Sequence, residues 1–265
     1  MSLTKQPLHI TSRDNPLLMR LRKLSQDAGA YRKLGSVWLE GDHLARACLQ
    51  RGHALSLALL TEEGWGQPEL RALAEQAPKV VIVPRALFKS ISGLESPAEL
   101  GFEVPHLASA AVLPAVDSVI LDRLQDAGNV GSILRSASAL GVRQVLALKG
   151  TAALWSPKVL RAGMGAHFAL NLVEGLSLAD LDGLQAAMVA TSSYAERELQ
   201  QLSLPQPCAW VLGHEGQGIS DELMARCALT VRIPQPGGEE SLNVASAAAI
   251  CLYESARQRL VATPQ

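Results

Sequence analysis

Apolar positions along this chain follow two rhythms, and the alternation between them predicts the elements. Short unbroken apolar runs at Leu55–Leu60, Val80–Val83, Ser118–Leu121, Val142–Leu148, Met188–Thr191, Ala209–Leu212 and Leu229–Ile233 read as strands covered on both faces. Amphipathic stretches at Asp42–Gln50, Pro68–Gln76, Val130–Leu140 and Leu178–Ala187 read as helices, and Leu242–Leu260 as a long closing helix rich in Ala. Strands alternating with helices imply an α/β fold with a mostly parallel sheet. The closing helix is apolar over so much of its circumference that a solvent-facing position does not suit it, which predicts a homodimer.

Pro97, Pro105 and Pro114 punctuate residues 95–115, as a connection between domains would. The division predicted is a small α/β domain over 1–104, a linker over 105–115 and a second α/β domain over 116–265. Charge divides at the same place. Residues 1–105 hold 13 Lys and Arg against 11 Asp and Glu, whereas the remainder holds 11 against 14. The formal net charge of -1 excludes a strongly basic nucleic-acid binder, so any RNA contact must come from a local patch. The clearest patch is Arg13, Arg20, Arg22, Lys23, Arg32 and Lys33, where Leu17, Leu18, Leu21 and Leu24 leave one helical face to pack and the other basic. A second is Lys158 and Arg161, on one helical face within Ser156–Ala166; either patch also fits a plain solvated face.

Cys48, Cys208, Cys227 and Cys251 form no CxxC pair and sit in apolar surroundings, which predicts buried reduced thiols and no metal site. No secretory h-region opens the chain and no run is long enough to cross a bilayer, so the expectation is a cytoplasmic protein without membrane contact.

Candidate chemistry gathers where apolar strands meet helices, the carboxyl edge at which open α/β sheets bind ligands. After the strand ending at Asp122 comes Asn129-Val130-Gly131-Ser132-Ile133-Leu134-Arg135. Asn129 can cap the helix. Arg135 is either an exposed arginine or a planar fork for a phosphate or ribose edge. The strand Trp210-Val211-Leu212 runs into Gly213-His214-Glu215-Gly216-Gln217-Gly218, where three glycines let backbone groups face a ligand. Neither the GxGxxG spacing nor a Gly-Lys-Ser/Thr sequence is present, so this is no dinucleotide fingerprint or P-loop. Glu215 either orients a substrate or bonds loop amides. Ile233-Pro234-Gln235-Pro236-Gly237-Gly238-Glu239-Glu240-Ser241-Leu242-Asn243 ends another strand in a stiff loop. An N-cap role for Ser241 accounts for that residue, though not for the string as a whole. Ala190-Thr191-Ser192-Ser193-Tyr194-Ala195 ends a fourth strand with hydroxyl residues.

In order, spacing and junction type, these segments resemble the SpoU/TrmH family of RNA ribose 2'-O-methyltransferases, within the SPOUT superfamily, over residues 116–260. Residues 8–100, opening Ile10-Thr11-Ser12-Arg13-Asp14-Asn15-Pro16, resemble the ribosomal-protein-like substrate-binding domain of the ribosomal RNA members. The resemblance implies a carboxy-terminal segment threaded into a trefoil knot, S-adenosyl-L-methionine as cofactor, a homodimer, and an RNA substrate, most naturally ribosomal RNA. It assigns Thr191, Gly213, Ile233 and Leu242 to the cofactor, largely through backbone groups, and Asn129, Arg135, Glu215, Ser241 and Asn243 to the reaction site. Arg135 is then a phosphate and hydroxyl positioner, since a guanidinium does not give up its proton. Ser241 and Asn243 fix the acceptor, and the proton goes to water or to Glu215. The chain departs from the family pattern at His214, where Asn is common, at Gln235, Pro236 and Glu239, and at Ser96-Pro97-Ala98-Glu99. Transfer RNA as substrate, and a non-catalytic RNA-binding assembly protein, are the alternative readings.

Overall fold

The apolar runs become the strands of two separate sheets in a computed structural model, which describes residues 6–107, 111–238 and 241–262. The chain divides into two compact units, one of Met1–Ala108 with Trp155–Phe168, the other of Ser109–Leu154 with Ala169–Gln265. The segment Trp155–Phe168, expected within the second domain, thus clusters with the first. Of the linker expected at 105–115, residues 108–110 lie outside the described residues.

The elements run, in order, β1 (Leu8–His9), α1 (Pro16–Gln26), α2 (Ala30–Leu34), β2 (Ser36–Glu40), α3 (Asp42–Gln50), β3 (Leu57–Thr61), α4 (Glu62–Trp65), α5 (Pro68–Ala74), β4 (Val80–Val83), α6 (Arg85–Ile91) and β5 (Leu100–Pro105). The first unit's sheet has the order β1-β4-β3-β5-β2 and is mixed: β4 is parallel to β1 and β3, while β5 is antiparallel to β3 and β2. β5 falls inside the stretch that reads as a connection. Gly101 conceals it, because the Trp38 ring occupies the place where a Cβ would stand. Leu18, Leu21 and Leu24 on α1 pack with Trp38, Leu59, Val81 and Phe88 in this unit's core, as the helical spacing predicts.

The second half continues with β6 (Ser118–Asp122), α7 (Ala127–Ala139), β7 (Gln144–Leu148), α8 (Pro157–Gly163), β8 (Asn171–Leu176), β9 (Ala187–Thr191), β10 (Cys208–Gly213), α9 (Asp221–Met224), β11 (Leu229–Val231) and α10 (Val244–Ala262). Among the described residues the second unit's sheet is parallel throughout, in the order β11-β9-β10-β6-β7-β8. The helix expected over Leu178–Ala187 is instead one 3-10 turn, Leu178–Leu181, closed at its start by a Ser177–Asp180 capping box. α10 is tied to the sheet by Trp210 Nε1 donating to Ser255 Oγ at 2.8 Å and by the Arg259–Asp117 ion pair. Burial pushes the thiol of Cys48 up to about 11 and that of Cys208 up to about 12, as expected of unreactive buried cysteines.

Two of the candidate RNA-binding arginines on α1 already have partners. Arg20 Nη2 lies 2.6 Å from Oε2 of Glu103, a carboxylate buried in β5 that also accepts from Ser36 Oγ at 2.7 Å. Arg22 donates to the carbonyl and hydroxyl of Ser90 on α6, at 3.1 and 2.9 Å. Arg13 and Lys23 are exposed, as is Lys158 on α8, while Arg161 is half-buried. Because α8 packs against α1 and β2, both candidate basic patches belong to one unit.

These contacts separate folding from surface charge. Arg20→Ala should cost about 1–3 kcal/mol, because Glu103 keeps the Ser36 hydroxyl but loses its counter-charge in a buried place. Lys23→Ala should change stability by less than about 0.5 kcal/mol. Urea denaturation of the two variants checks the contrast, and equal midpoints would refute it.

Candidate active site

Four loops leave the carboxyl ends of neighbouring strands in the second unit, and three of them enclose a cleft of ≈ 730 Å³. Thr191 to Tyr194 after β9, Gly213 to Ile219 after β10, and Ile233, Gln235 and Ser241 to Val244 after β11 line it. All four residues assigned to the cofactor by resemblance, Thr191, Gly213, Ile233 and Leu242, are in this lining. So are Glu215, Ser241 and Asn243 of the expected reaction site. The lining combines backbone of the glycine loop, the Ser192 and Ser193 hydroxyls, and the apolar side chains of Ile219, Met224, Ile233 and Leu242. Glu239 lies outside the described residues.

The glycine loop returns on itself. Gly213 is in register with Asp122 of β6, and a Cβ on Gly213 would fall inside the contact distance of Gly218 and Ile219 backbone atoms. His214 N donates to Gly218 O at 3.0 Å, and Gly218 N donates back at 2.8 Å. The His214 ring stays within the loop: its Nδ1 accepts from the backbone N–H groups of Gly216 and Gln217 at 3.0 and 3.2 Å. That places the proton of the neutral ring on Nε2.

From this loop Glu215 reaches the start of α7. Its Oε1 accepts from Asp126 N at 3.1 Å and from Asn129 Nδ2 at 3.2 Å, and its Oε2 accepts from Gln125 N at 3.2 Å. Asn129 Oδ1 in turn accepts from Asn243 Nδ2 at 2.9 Å. Asn243 is also the cap of α10, its Oδ1 accepting from Ala245 N at 2.9 Å and Ser246 N at 3.3 Å. The N-cap role read for Ser241 therefore belongs to Asn243, two residues on, and the cap of α7 is Asp126 rather than Asn129, with Asp126 Oδ1 accepting from Asn129 N at 2.7 Å. Partial burial raises the Glu215 pKa, but hydrogen bonds from its own backbone, Asn129, Gln125 and Asp126 outweigh that and hold the carboxyl below its usual range.

The structure thus joins Glu215, Asn129 and Asn243 into one hydrogen-bonded chain. It places Ser241 in the cleft lining with an exposed side chain. It does not bring Arg135 to them: Arg135 is exposed on α7, outside the cleft lining, and has no side-chain partner among the described residues. Sequence reasoning overlooked the Asp122 carboxylate. It is buried at the end of β6 and accepts from Ser220 N at 2.7 Å and from Arg123 Nε at 2.9 Å. Burial raises its pKa, and the hydrogen bonds from Arg123 and Ser220 with the Arg123 charge more than reverse this, leaving it lowered. An acid closing an apolar strand was the available signal.

The model of the SpoU rRNA Methylase family matches residues 118–253. An uncharacterized tRNA/rRNA methyltransferase of Synechocystis sp. is 32% identical, covering 98% of each chain. The 23S rRNA (guanosine-2'-O-)-methyltransferase RlmB of Coxiella burnetii is 32% identical, over 88% of this chain and 99% of that one. The crystal structure of the SpoU methyltransferase AviRb from Streptomyces viridochromogenes, in complex with AdoMet, superposes with a TM-score of 0.84 at 25% identity, covering 93% of this chain and 98% of that one.

The lowered Asp122 pKa sets a pH dependence. A carboxyl that ionises at lower pH in the folded than in the unfolded chain stabilises fully above the unfolded value, about 3.9 for Asp. That stabilisation is lost as pH falls through the lower folded value. Urea denaturation between about pH 3 and 6 should therefore show a flatter acid limb for Asp122→Asn than for the natural protein; parallel limbs would refute the assignment.

Proposed function

Since the chain belongs to the SpoU rRNA methylase family, we propose that it methylates a ribose 2'-OH of ribosomal RNA, using S-adenosyl-L-methionine bound in the cleft of the second unit. The observation that carries the site assignment is the Glu215–Asn129–Asn243 chain beside a cleft lined by three strand-end loops. The donor set fits this cofactor: apolar side chains for the adenine, hydroxyls and turned backbone for its polar ends. Thr191, Gly213, Ile233 and Leu242 would hold it. When bound, S-adenosyl-L-methionine supplies an electrophilic methyl group on a sulfonium.

The chain's own residues align the acceptor and exclude water. Glu215 acts as an anchor: its oxygens already accept three hydrogen bonds from other residues, and its lowered pKa makes it a weak base. The proton leaves to water. Asn129 and Asn243 hold the mouth of the cleft, and the exposed Ser241 hydroxyl is available to bind the acceptor. Arg135 grips an RNA phosphate or hydroxyl through its planar fork. Arg13, Lys23, Lys158 and Arg161 of the first unit supply further RNA contacts, while Arg20 and Arg22 serve chiefly to hold that unit together. Ribosomal RNA is favoured over transfer RNA because the Coxiella burnetii relative, matched over 88% of this chain, is named for 23S rRNA.

The trefoil knot, a cytoplasmic location and a homodimer belong to the same proposal. Among the described residues no helix is long and apolar enough to cross a membrane. Support for the dimer is a solvent-facing stripe on α10, where Ile250, Tyr253, Leu260 and Val261 are 40%, 61%, 79% and 74% exposed.

Single-turnover transfer of labelled methyl to ribosomal RNA tests the activity. Gly213→Ala should abolish cofactor binding in calorimetry, because its Cβ meets backbone that cannot yield. Arg135→Ala should keep cofactor affinity and lower transfer by about 100-fold or more. Transfer at the natural rate by Arg135→Ala would refute its role, and absence of transfer by the natural protein would refute the function.

Sedimentation should give a dimer at micromolar concentration, and Tyr253→Glu with Ile250→Glu should give a folded monomer. A natural protein that sediments as a monomer with cofactor present would overturn the dimer.

A further inference from the structure

Arg123 adopts φ 60°, one of two residues other than glycine with positive φ among the described residues. A side chain makes this conformation unfavourable, so something in the surroundings must hold it. In a continuing strand, neighbouring side chains point to opposite faces. The left-handed turn at Arg123 instead brings its guanidinium back onto the carboxylate of the preceding residue. Nε and Nη2 lie 2.9 and 3.3 Å from Asp122 Oδ1 and Oδ2, a side-on fork. With the guanidinium fixed there, its remaining donors face the glycine loop. Nη1 donates to Gln217 Oε1 at 3.0 Å, and Nη2 lies 3.5 Å from Gly218 O. Gly150 makes room: a Cβ there would stand 3.2 Å from Arg123 Cγ.

Gln217 and Gly218 line the cleft. The loop is fixed at its start by the β10–β6 register and at its end by Ser220 N donating to Asp122. Its middle is fixed internally by the His214 contacts and externally by Arg123. Arg123 touches none of the proposed reaction residues, and it is absent from the cleft lining. We propose that Arg123 is a positioning residue for the cofactor: acting through Gln217, it sets the aperture of the cleft at residues 217–218, and its unfavourable backbone is the means by which the latch is aimed. This rests on the reading of the cleft as the S-adenosyl-L-methionine site.

The test is a double-mutant cycle on the full chain, read as the Kd of S-adenosyl-L-methionine by calorimetry and as a KM-against-kcat split. Gln217→Ala alters an exposed side chain, so its melting temperature should match the natural protein's, while cofactor affinity falls about tenfold, the scale of one hydrogen bond to a charged group. Arg123→Lys, which keeps the charge and loses the fork, should fall by a similar factor. The double variant should be no weaker than Arg123→Lys alone, since that variant already removes the contact to Gln217. Gln217→Glu, which keeps an acceptor for Nη1, should retain affinity. KM for the cofactor should rise in each weakened variant with kcat at saturation unchanged, a split that a general loss of folding would not give. Natural affinity in Gln217→Ala, or losses that multiply in the double variant, would overturn the latch. A natural protein that binds no cofactor would overturn the reading of the cleft and the latch with it, which distinguishes the two failures.

Discussion

Gly213 stands opposite Asp122 at the ends of two adjacent parallel strands, and the loop that follows it folds back into the space a side chain would fill. The rest of the site depends on that close approach. It lets His214 and Gly218 exchange backbone hydrogen bonds, which close the loop. A closed loop projects Glu215 sideways onto Gln125 and Asp126, just before α7, and onto Asn129 in its first turn. The carboxylate then satisfies the N–H groups of the cap residue Asp126 and of Gln125 before it, and it meets the positive end of the helix dipole. Through Asn129 the same contact reaches Asn243 and the start of α10. Three segments far apart in the chain are thus held by one acid.

The hydrogen bonds that make Glu215 a good anchor make it a poor proton acceptor. Partial burial alone would raise its pKa, but four groups of donors oppose that and prevail. Asn129 is similarly occupied, with one amide atom on Glu215 and the other on Asn243. What remains is geometry: a cleft, an exposed Ser241 in its lining, and the exposed Arg135 on α7 outside it. An electrophile that carries its own activation asks for little more than alignment.

Much of this was legible in the sequence because each junction announces itself. A strand that runs into Gly, Asn or Pro has to turn there, and parallel topology puts every such turn on one edge. The cleft lining follows from that edge. Other features could not be read locally. β5 carries Gly101 and the buried acid Glu103, both of which look like breaks until Trp38 and Arg20 are seen to complete them. Leu178–Ala187 has helical spacing, but Ser177 and Asp180 close a single 3-10 turn and the chain passes through Gly183 to β9. The cap of α10 is two residues later than its composition suggests, since Ser241 and Asn243 are both good caps and only tertiary contact with Asn129 selects between them. The assignment of Trp155–Phe168 to the first unit is a long-range fact with no local signature.

Charge illustrates the same limit. Arg13, just before α1, and Arg20, Arg22 and Lys23 on it look equivalent in sequence, yet Arg20 neutralises a buried carboxylate and Arg22 clasps Ser90. A guanidinium already engaged by a partner within the fold contributes less to a polyanion's affinity than one free to replace counterions. The first unit can therefore offer fewer phosphate contacts than its arginine count suggests, on a chain whose net charge is -1. A protein in that position cannot rely on non-specific attraction to hold RNA. Its selectivity must then come from the shape of the target rather than from charge alone.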